Sequence, residues 1–221
     1  MTNKILKNEL TKMLNIDFPI IVAPMFLVSN SKMLIEAGKS GITGCVPALN
    51  YRTLSELTTA IQEVKTHTNG PMGVNLIVNK FNTKMLDQLK VCVDLNVDYI
   101  ITSLGNPSPV INVCKPKGIK VFCDVVDLKY AKKVEALGAD AIIAVNNRAG
   151  GHLGSMSPEE LIPILVKNCG IPIISAGGVS TNDELKFILE LGASGVSIGT
   201  PFIATNDCLL YTSDAADDCR C

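Results

Sequence analysis

Eight short apolar runs recur along the chain, each followed by a longer polar or amphipathic stretch, and this alternation restricts the folds open to it. The runs are PIIVAPM from Pro19, GITGCVP from Gly41, MGVNLIV from Met72, DYIITSL from Asp98, IKVFCDVV from Ile119, DAIIAVN from Asp140, IPIISAGG from Ile171 and SGVSIGT from Ser194. Most are rich in Val and Ile and apolar at successive positions. That is the pattern of parallel strands covered by helices on both faces. Seven steps carry the chain from Pro19 to Ser194, about 25 residues per step, which predicts a (β/α)8 TIM barrel. An open doubly wound sheet is the runner-up. Against it, the first run ends in Ala23-Pro24-Met25 with no G-x-G-x-x-G, and the glycine-rich strand ends come late, after the seventh and eighth runs.

The intervening stretches carry helix signals. Thr53 to Lys65 opens with a Thr53–Glu56 capping box and lines up Leu54, Leu57, Ile61 and Val64 as an apolar stripe. Asp127 is placed as an N-cap for a helix that stops at Gly138. Ser157-Pro158-Glu159-Glu160 opens another with proline in the first turn, and Asn182 to Leu191 runs into Gly192. After Gly199-Thr200-Pro201-Phe202 a barrel calls for a final helix, but the chain reads NDCLLYTSDAADDCRC with little amphipathic period. The expected domain is therefore residues 1–208, a barrel truncated before its last helix, with residues 209–221 as an irregular tail outside the fold. A short irregular C-terminus is the plainer alternative.

A chain of 221 residues fits one domain with a substantial core, and 47% hydrophobic against 19% charged residues is a globular composition. Twenty basic and 21 acidic residues are spread along it for a net charge of −1, which gives no field for gripping nucleic acid or an anionic membrane. The N-terminus lacks the apolar run of a signal peptide, and no stretch approaches the roughly 18 residues of a membrane span. The eight cysteines include Cys45 and Cys123 inside strand-like runs, where a thiol behaves as a small hydrophobe, and no paired C-x-x-C suggests zinc. A reducing cytoplasm is the simplest setting, and a homo-oligomer is compatible with this reading.

Three constellations point to chemistry. Ser175-Ala176-Gly177-Gly178 closes the seventh run and Ser197-Ile198-Gly199-Thr200 the eighth. Glycines there let backbone N–H groups approach an anion, and barrels commonly bind phosphate after these two strands. The alternative is that they serve tight turns alone. Arg148-Ala149-Gly150-Gly151-His152-Leu153-Gly154 follows the sixth run and sets an imidazole among glycines at a strand's C-terminal end, a place suited to proton exchange. The other histidine, His67, reads as a solvated residue at a helix end. Asn75 puts a carboxamide inside an apolar strand, where it must find partners, either in a heterocycle edge at the mouth or in an internal backbone bond. Asp124, near the end of the fifth strand, reads as structural.

The segments PIIVAPM, SGITGCVPALN, GVNLIVN, LGADAIIAVNNRAGGHLG, PIISAGGV and GVSIGTPF, taken together, resemble the nitronate monooxygenase (2-nitropropane dioxygenase-like) family over roughly residues 10–206, with AGGH as the most specific element. The resemblance implies an FMN-dependent barrel. It implies that FMN phosphate is held by Gly177, Gly178, Ser197, Ile198, Gly199 and Thr200, that Ala23, Pro24 and Met25 lie against the isoalloxazine, and that Asn75 and Gly150 also contact the flavin. Members often carry Gln-Gly and a Glu ahead of AGGH, where this chain has Val145, Asn146 and Arg148. That glutamine's flavin contact is then absent, or Asn146 or Asn147 takes it over. The implied activity is oxidation of an alkyl nitronate by FMN and O2 to a carbonyl compound and nitrite, with His152 as the base for a neutral nitroalkane. A flavin enoyl-ACP reductase using NAD(P)H shares the barrel and AGGH loop and is the nearest alternative. A flavin-free barrel binding a sugar phosphate, as lyases and isomerases do, is the next.

Overall fold

A computed structural model describes residues 6–205; the expected tail at 209–221 lies outside the described residues. Eight parallel strands close into a barrel in sequence order: β1 (Ile20–Val22), β2 (Thr43–Pro47), β3 (Met72–Ile77), β4 (Tyr99–Ser103), β5 (Lys120–Val125), β6 (Ala141–Val145), β7 (Ile173–Ala176) and β8 (Gly195–Ile198). The ring closes where Ile21 pairs with Ser197. Each expected apolar run supplies one strand, so the (β/α)8 architecture read from the sequence is the architecture found.

Helices follow the strands. They are α1 (Glu9–Leu14), before the barrel, then α2 (Ser31–Lys39), α3 (Leu54–His67), α4 (Met85–Asp94), α5 (Ser108–Cys114), α6 (Leu128–Leu137), α7 (Pro158–Asn168), α8 (Asn182–Glu190) and the short α9 (Thr200–Ile203). Their starts are set by side chains that satisfy the first free amides. Capping boxes open α3 at Thr53, α7 at Ser157 and α8 at Thr181, and Asp127 accepts from the Tyr130 amide at the start of α6. Helix α6 stops at Gly138 in the left-handed region, φ 94°. The buried face of α3 is Leu57, Ala60, Ile61 and Val64, whereas Leu54, expected in that stripe, is exposed at the first turn.

Alternation along each strand divides the apolar residues into two layers. One lies between barrel and helices and includes Val74, Ile100, Val121, Ile142 and Val196. The other fills the barrel with Ile21, Cys45, Tyr99, Ile101, Phe122, Ala141, Ile143 and Ile174. Tyr99 stacks on Phe122 with ring centroids 5.0 Å apart. Helix α1 and the turn after it plug the barrel's N-terminal end, because Leu10, Leu14 and Ile16 join the interior cluster. A side chain at Gly195 would collide with Leu10. With that end sealed, the C-terminal end is the open mouth. Among the described residues no helix is long and apolar enough to cross a membrane.

Candidate functional site

Ile21, Cys45, Ile101, Phe122, Ile143 and Ile174 face the barrel interior. Two residues further along each strand, the same side of the pleat presents Ala23, Pro47, Ser103, Asp124, Val145 and Ala176 to the mouth. Asn75 pairs with Ile101, and Ser197 with Ile21, so both face inward near this level.

A hydrogen-bonded chain crosses three of these strands. Asn75 donates from Nδ2 to the Ile101 carbonyl oxygen at 3.1 Å and to Ser103 Oγ at 2.7 Å. Ser103 Oγ in turn donates to Asp124 Oδ2 at 2.5 Å. Both amide hydrogens of Asn75 are thus committed to protein, and among the described residues nothing donates to its Oδ1. A carbonyl oxygen that is neither partnered nor sealed in must look into the mouth. The internal-bond alternative for Asn75 therefore holds for its Nδ2, while its Oδ1 has no partner among the described residues. Asp124 is half-buried at the same level, and burial pushes its carboxyl up from 3.8 to about 6, against the opposing pull of the Ser103 hydrogen bond.

The loop after β6 is fastened to the loop after β7 by Asn146, which is fully buried. Its Nδ2 donates to the Gly177 carbonyl oxygen at 3.1 Å and to Ser175 Oγ at 3.3 Å, and its Oδ1 accepts from the Arg148 amide at 2.8 Å. Both amide hydrogens of Asn146 are committed to protein and the residue is fully buried, whereas Asn147 is exposed. Gly177 and Gly178 both occupy the left-handed region, φ 111° and 75°. A side chain on Gly177 would strike the backbone of Ala149, and one on Gly178 would reach 2.7 Å from Arg148 Cδ. These glycines let one loop lie directly on the other. Arg148 is held above them by Glu159, 2.9 Å from its guanidinium.

The first and last strands are joined in a similar way. Ser29 Oγ donates to the Ala23 carbonyl oxygen at 2.8 Å and accepts from the Met25 amide at 2.9 Å, which ties the Ala23-Pro24-Met25 turn into a compact loop. Asn50, after β2, accepts from the Leu27 amide and donates to the Ser29 carbonyl oxygen, each at 2.8 Å. A Cβ on Gly199 would sit 2.9 Å from Met25 Sδ. The Met25 side chain thus packs on the end of β8, beside Phe202 and the Val22–Met33 cluster. Ser197 and Ile198 end β8, and Thr200 begins α9.

Gly150 differs from these glycines, since a Cβ there would meet nothing within 4 Å. His152, two residues on, is exposed and makes no hydrogen bond among the described residues. The same rim carries exposed apolar side chains from successive loops: Phe26, Leu27, Leu49, Phe81, Leu104, Val126 and Leu153. A group of this kind marks a surface that meets something. Leu27 and Leu104 also hold φ of 59° and 60°, strained for leucine and typical of functional loops. Two open clefts lie elsewhere: about 330 Å³ beside the α1 plug at Pro71, Asp98 and Lys117, and about 580 Å³ at the outer rim between Lys80, Met85 and Asn106. The mouth, with its convergent polar groups, is the better candidate.

All the residues expected at the site thus lie on one rim, on β1, β3, β6, β7 and β8 or the loops after them. The Asn146 clamp and the Ser103–Asp124 pair went unrecognised in the sequence. A buried Asn at a strand end and an Asp in an apolar run were the available signals. Among the described residues no group of three metal-ligating side chains is present.

A sequence model described as nitronate monooxygenase matches residues 79–217. A Mycobacterium tuberculosis protein named (3aS,4S,5R,7aS)-5-hydroxy-7a-methyl-1-oxo-octahydro-1H-indene-4-carboxyl-CoA dehydrogenase is 31% identical over 205 residues, covering 91% of this chain and 57% of its own length. A nitronate monooxygenase of Paraburkholderia phytofirmans is 28% identical over 256 residues, covering 94% of this chain and 69% of its own. Among solved structures, FabK from Thermotoga maritima superposes with a TM-score of 0.86 at 30% identity, over 91% of this chain and 64% of that one. The chain therefore spans little more than half the length of the mycobacterial relative. The matched family covers the second half of the barrel, including the loops after β6, β7 and β8: the chain belongs to the nitronate monooxygenase family, whose members are flavin-dependent oxidoreductases.

Proposed function

We propose that this barrel binds FMN across its mouth and oxidises small alkyl nitronates with O2 to carbonyl compounds and nitrite. The observation that carries the reading is the presence, at the same open end of the barrel, of the unpartnered Asn75 carbonyl oxygen and the glycine turns after β7 and β8. The residues fit a flavin. Asn75 Oδ1 can accept from a ring N–H, Gly150 leaves open space, and the exposed apolar rim suits a flat heterocycle and a small substrate. Ala23, Pro24 and Met25 would back the ring. Gly177, Gly178, Ser197, Ile198, Gly199 and Thr200 would hold the phosphate through backbone N–H groups and hydroxyls. Bound flavin supplies the electron-accepting chemistry, and the protein supplies position, electrostatics and exclusion of water.

A nitronate arrives already deprotonated, so turnover of it needs no base. A neutral nitroalkane must lose a proton beside its nitro group, and exposed His152 is the group proposed to take it. A second reading, an NAD(P)H-dependent enoyl-thioester reductase, is supported by the apolar rim and by the similarity to a CoA dehydrogenase and to FabK. The first test is the visible spectrum of the purified full-length protein with the mass of the cofactor it releases. Released FMN supports the reading. A colourless protein that takes up no FMN on soaking overturns it in favour of a flavin-free phosphate-binding barrel.

A further inference from the structure

Two hydrogen bonds on the β3–β5 side of the mouth run in one direction: Asn75 Nδ2 donates to Ser103 Oγ at 2.7 Å, and Ser103 Oγ donates to Asp124 Oδ2 at 2.5 Å. Every donor in the row points toward the carboxylate. Left at the other end, on a residue only 7% exposed, is the Asn75 carbonyl oxygen, which takes no bond among the described residues. Its orientation is fixed. Turning the amide over would set Oδ1 against the Ile101 carbonyl oxygen that Nδ2 now reaches at 3.1 Å, and against a Ser103 hydroxyl whose proton is already given to Asp124. Among the described residues no cation pairs with Asp124. Lys120, on the same strand at the sealed end, pairs with Asp140; Arg148 pairs with Glu159; Lys80 lies over the Phe81 ring. The other titratable groups around it are the Cys45 thiol of β2, the Cys123 thiol of β5, the Tyr99 hydroxyl of β4, and His152 in the loop after β6. Burial pushes both thiols and the tyrosine up, with the Asp124 charge adding to the effect on the thiols, so all three stay neutral.

We infer that Asp124, acting through Ser103, is a positioning residue that makes the Asn75 carbonyl oxygen an acceptor only, and so selects a ring that presents an N–H. This rests on the reading of the mouth as the flavin site. An oxidised isoalloxazine carries one N–H, in its imide, and that group would be the next donor in the row. Where all donors point toward an anion, each bond polarises the one before it, so the carboxylate strengthens the outermost acceptor. Protonation removes the direction: Asp124 can then donate to Ser103, and the Ser103 hydrogen is released to turn elsewhere. Burial pushes that carboxyl up to about 6, so the exchange falls where the protein can be assayed. The row acts on the ring edge alone. It places no demand on a nitronate, whose proposed contact is His152 on the loop after β6.

The probes are FMN and 3-methyl-FMN, in which the imide N–H is replaced by N–CH3. The full-length protein is equilibrated with an equal mixture of the two from about pH 5 to about pH 8, and the bound share of each is read by mass after release. The phosphate they share ionises a second time at about 6, but that titration cancels in the ratio. The methyl group's bulk is the same in every variant, so a change in the ratio reads the bond. The wild type should prefer FMN at alkaline pH, and the preference should fall roughly tenfold as pH drops through about 6, because the ionised carboxylate is the form that favours the bond. Asp124→Asn and Ser103→Ala should each show the smaller preference at every pH. His152→Ala should keep the wild-type dependence. A wild-type preference that does not change with pH, an Asp124→Asn variant that keeps the dependence, or its loss in His152→Ala would each overturn the inference and leave the flavin site standing. A protein that binds neither probe would overturn the flavin reading, and the inference with it.

Discussion

Asn146 Nδ2 donates to the Gly177 carbonyl oxygen at 3.1 Å, and that bond fastens the loop bearing His152 to a turn proposed to hold phosphate. Replacing Asn146 by Ala leaves the Arg148 amide and the Ser175 hydroxyl each short of a partner inside the protein. The expected cost is about 2–3 kcal/mol, at the level of buried groups left unsatisfied. Urea unfolding should show it, with a parallel loss of FMN affinity. A variant as stable as the wild type would mean that the clamp does not hold the rim together.

The glycines of the rim separate into two kinds. Gly177→Ala forces a side chain into the Ala149 backbone at φ 111°, and about 1–3 kcal/mol of stability should go with it. Gly150→Ala meets open space, so stability should change by no more than about 0.5 kcal/mol. Loss of FMN affinity in Gly150→Ala at unchanged melting temperature would then report a cofactor contact. Unchanged affinity would remove Gly150 from the site.

Asp124 also predicts a pH dependence of stability. Its folded value of about 6 lies above that of the unfolded chain, so between the two the folded state holds the extra proton. Its contribution is intact below the unfolded value and is lost as pH rises through about 6. A rise of that size is worth about 3 kcal/mol at most. Asp124→Asn should therefore be more stable than the wild type at alkaline pH, and the advantage should vanish in acid. An advantage that does not change with pH would contradict the raised value.

His152→Ala separates two substrates. It should retain FMN, lose about a hundredfold or more in turnover of a neutral nitroalkane, and lose much less with the preformed nitronate. Steady-state rates with both substrates decide the matter, and equal losses would exclude the base role.

Much of the barrel was readable because parallel strands buried on both faces leave near-continuous apolar runs, and all eight runs became strands. The helix starts at Thr53, Asp127 and Ser157 were readable for a different reason, since a cap is a local event between residues three apart, whereas the cap at Thr181 was not read. Leu54 was misplaced: it is the first residue of α3 and stays exposed, while the buried face begins at Leu57. The α1 plug escaped notice because six residues give too little periodicity, and its role depends on Gly195 at the far end of the chain. The Asn75–Ser103–Asp124 chain depends on the register between three strands, which no local pattern encodes. Asp124 read as structural, and its hydrogen bond from Ser103 is the partner that reading left unnamed. Gly177 and Gly178 were recognised as special, but the loop that makes them necessary was not.

Anaerobic reduction of the purified full-length protein decides between nitronate oxidation and the reductase alternative. Mixed with an alkyl nitronate in the absence of O2, the flavin absorbance should bleach within the time of turnover, while NADH alone should leave it unchanged. Rapid bleaching by NADH with none by nitronate would refute nitronate oxidation and make the barrel a reductase.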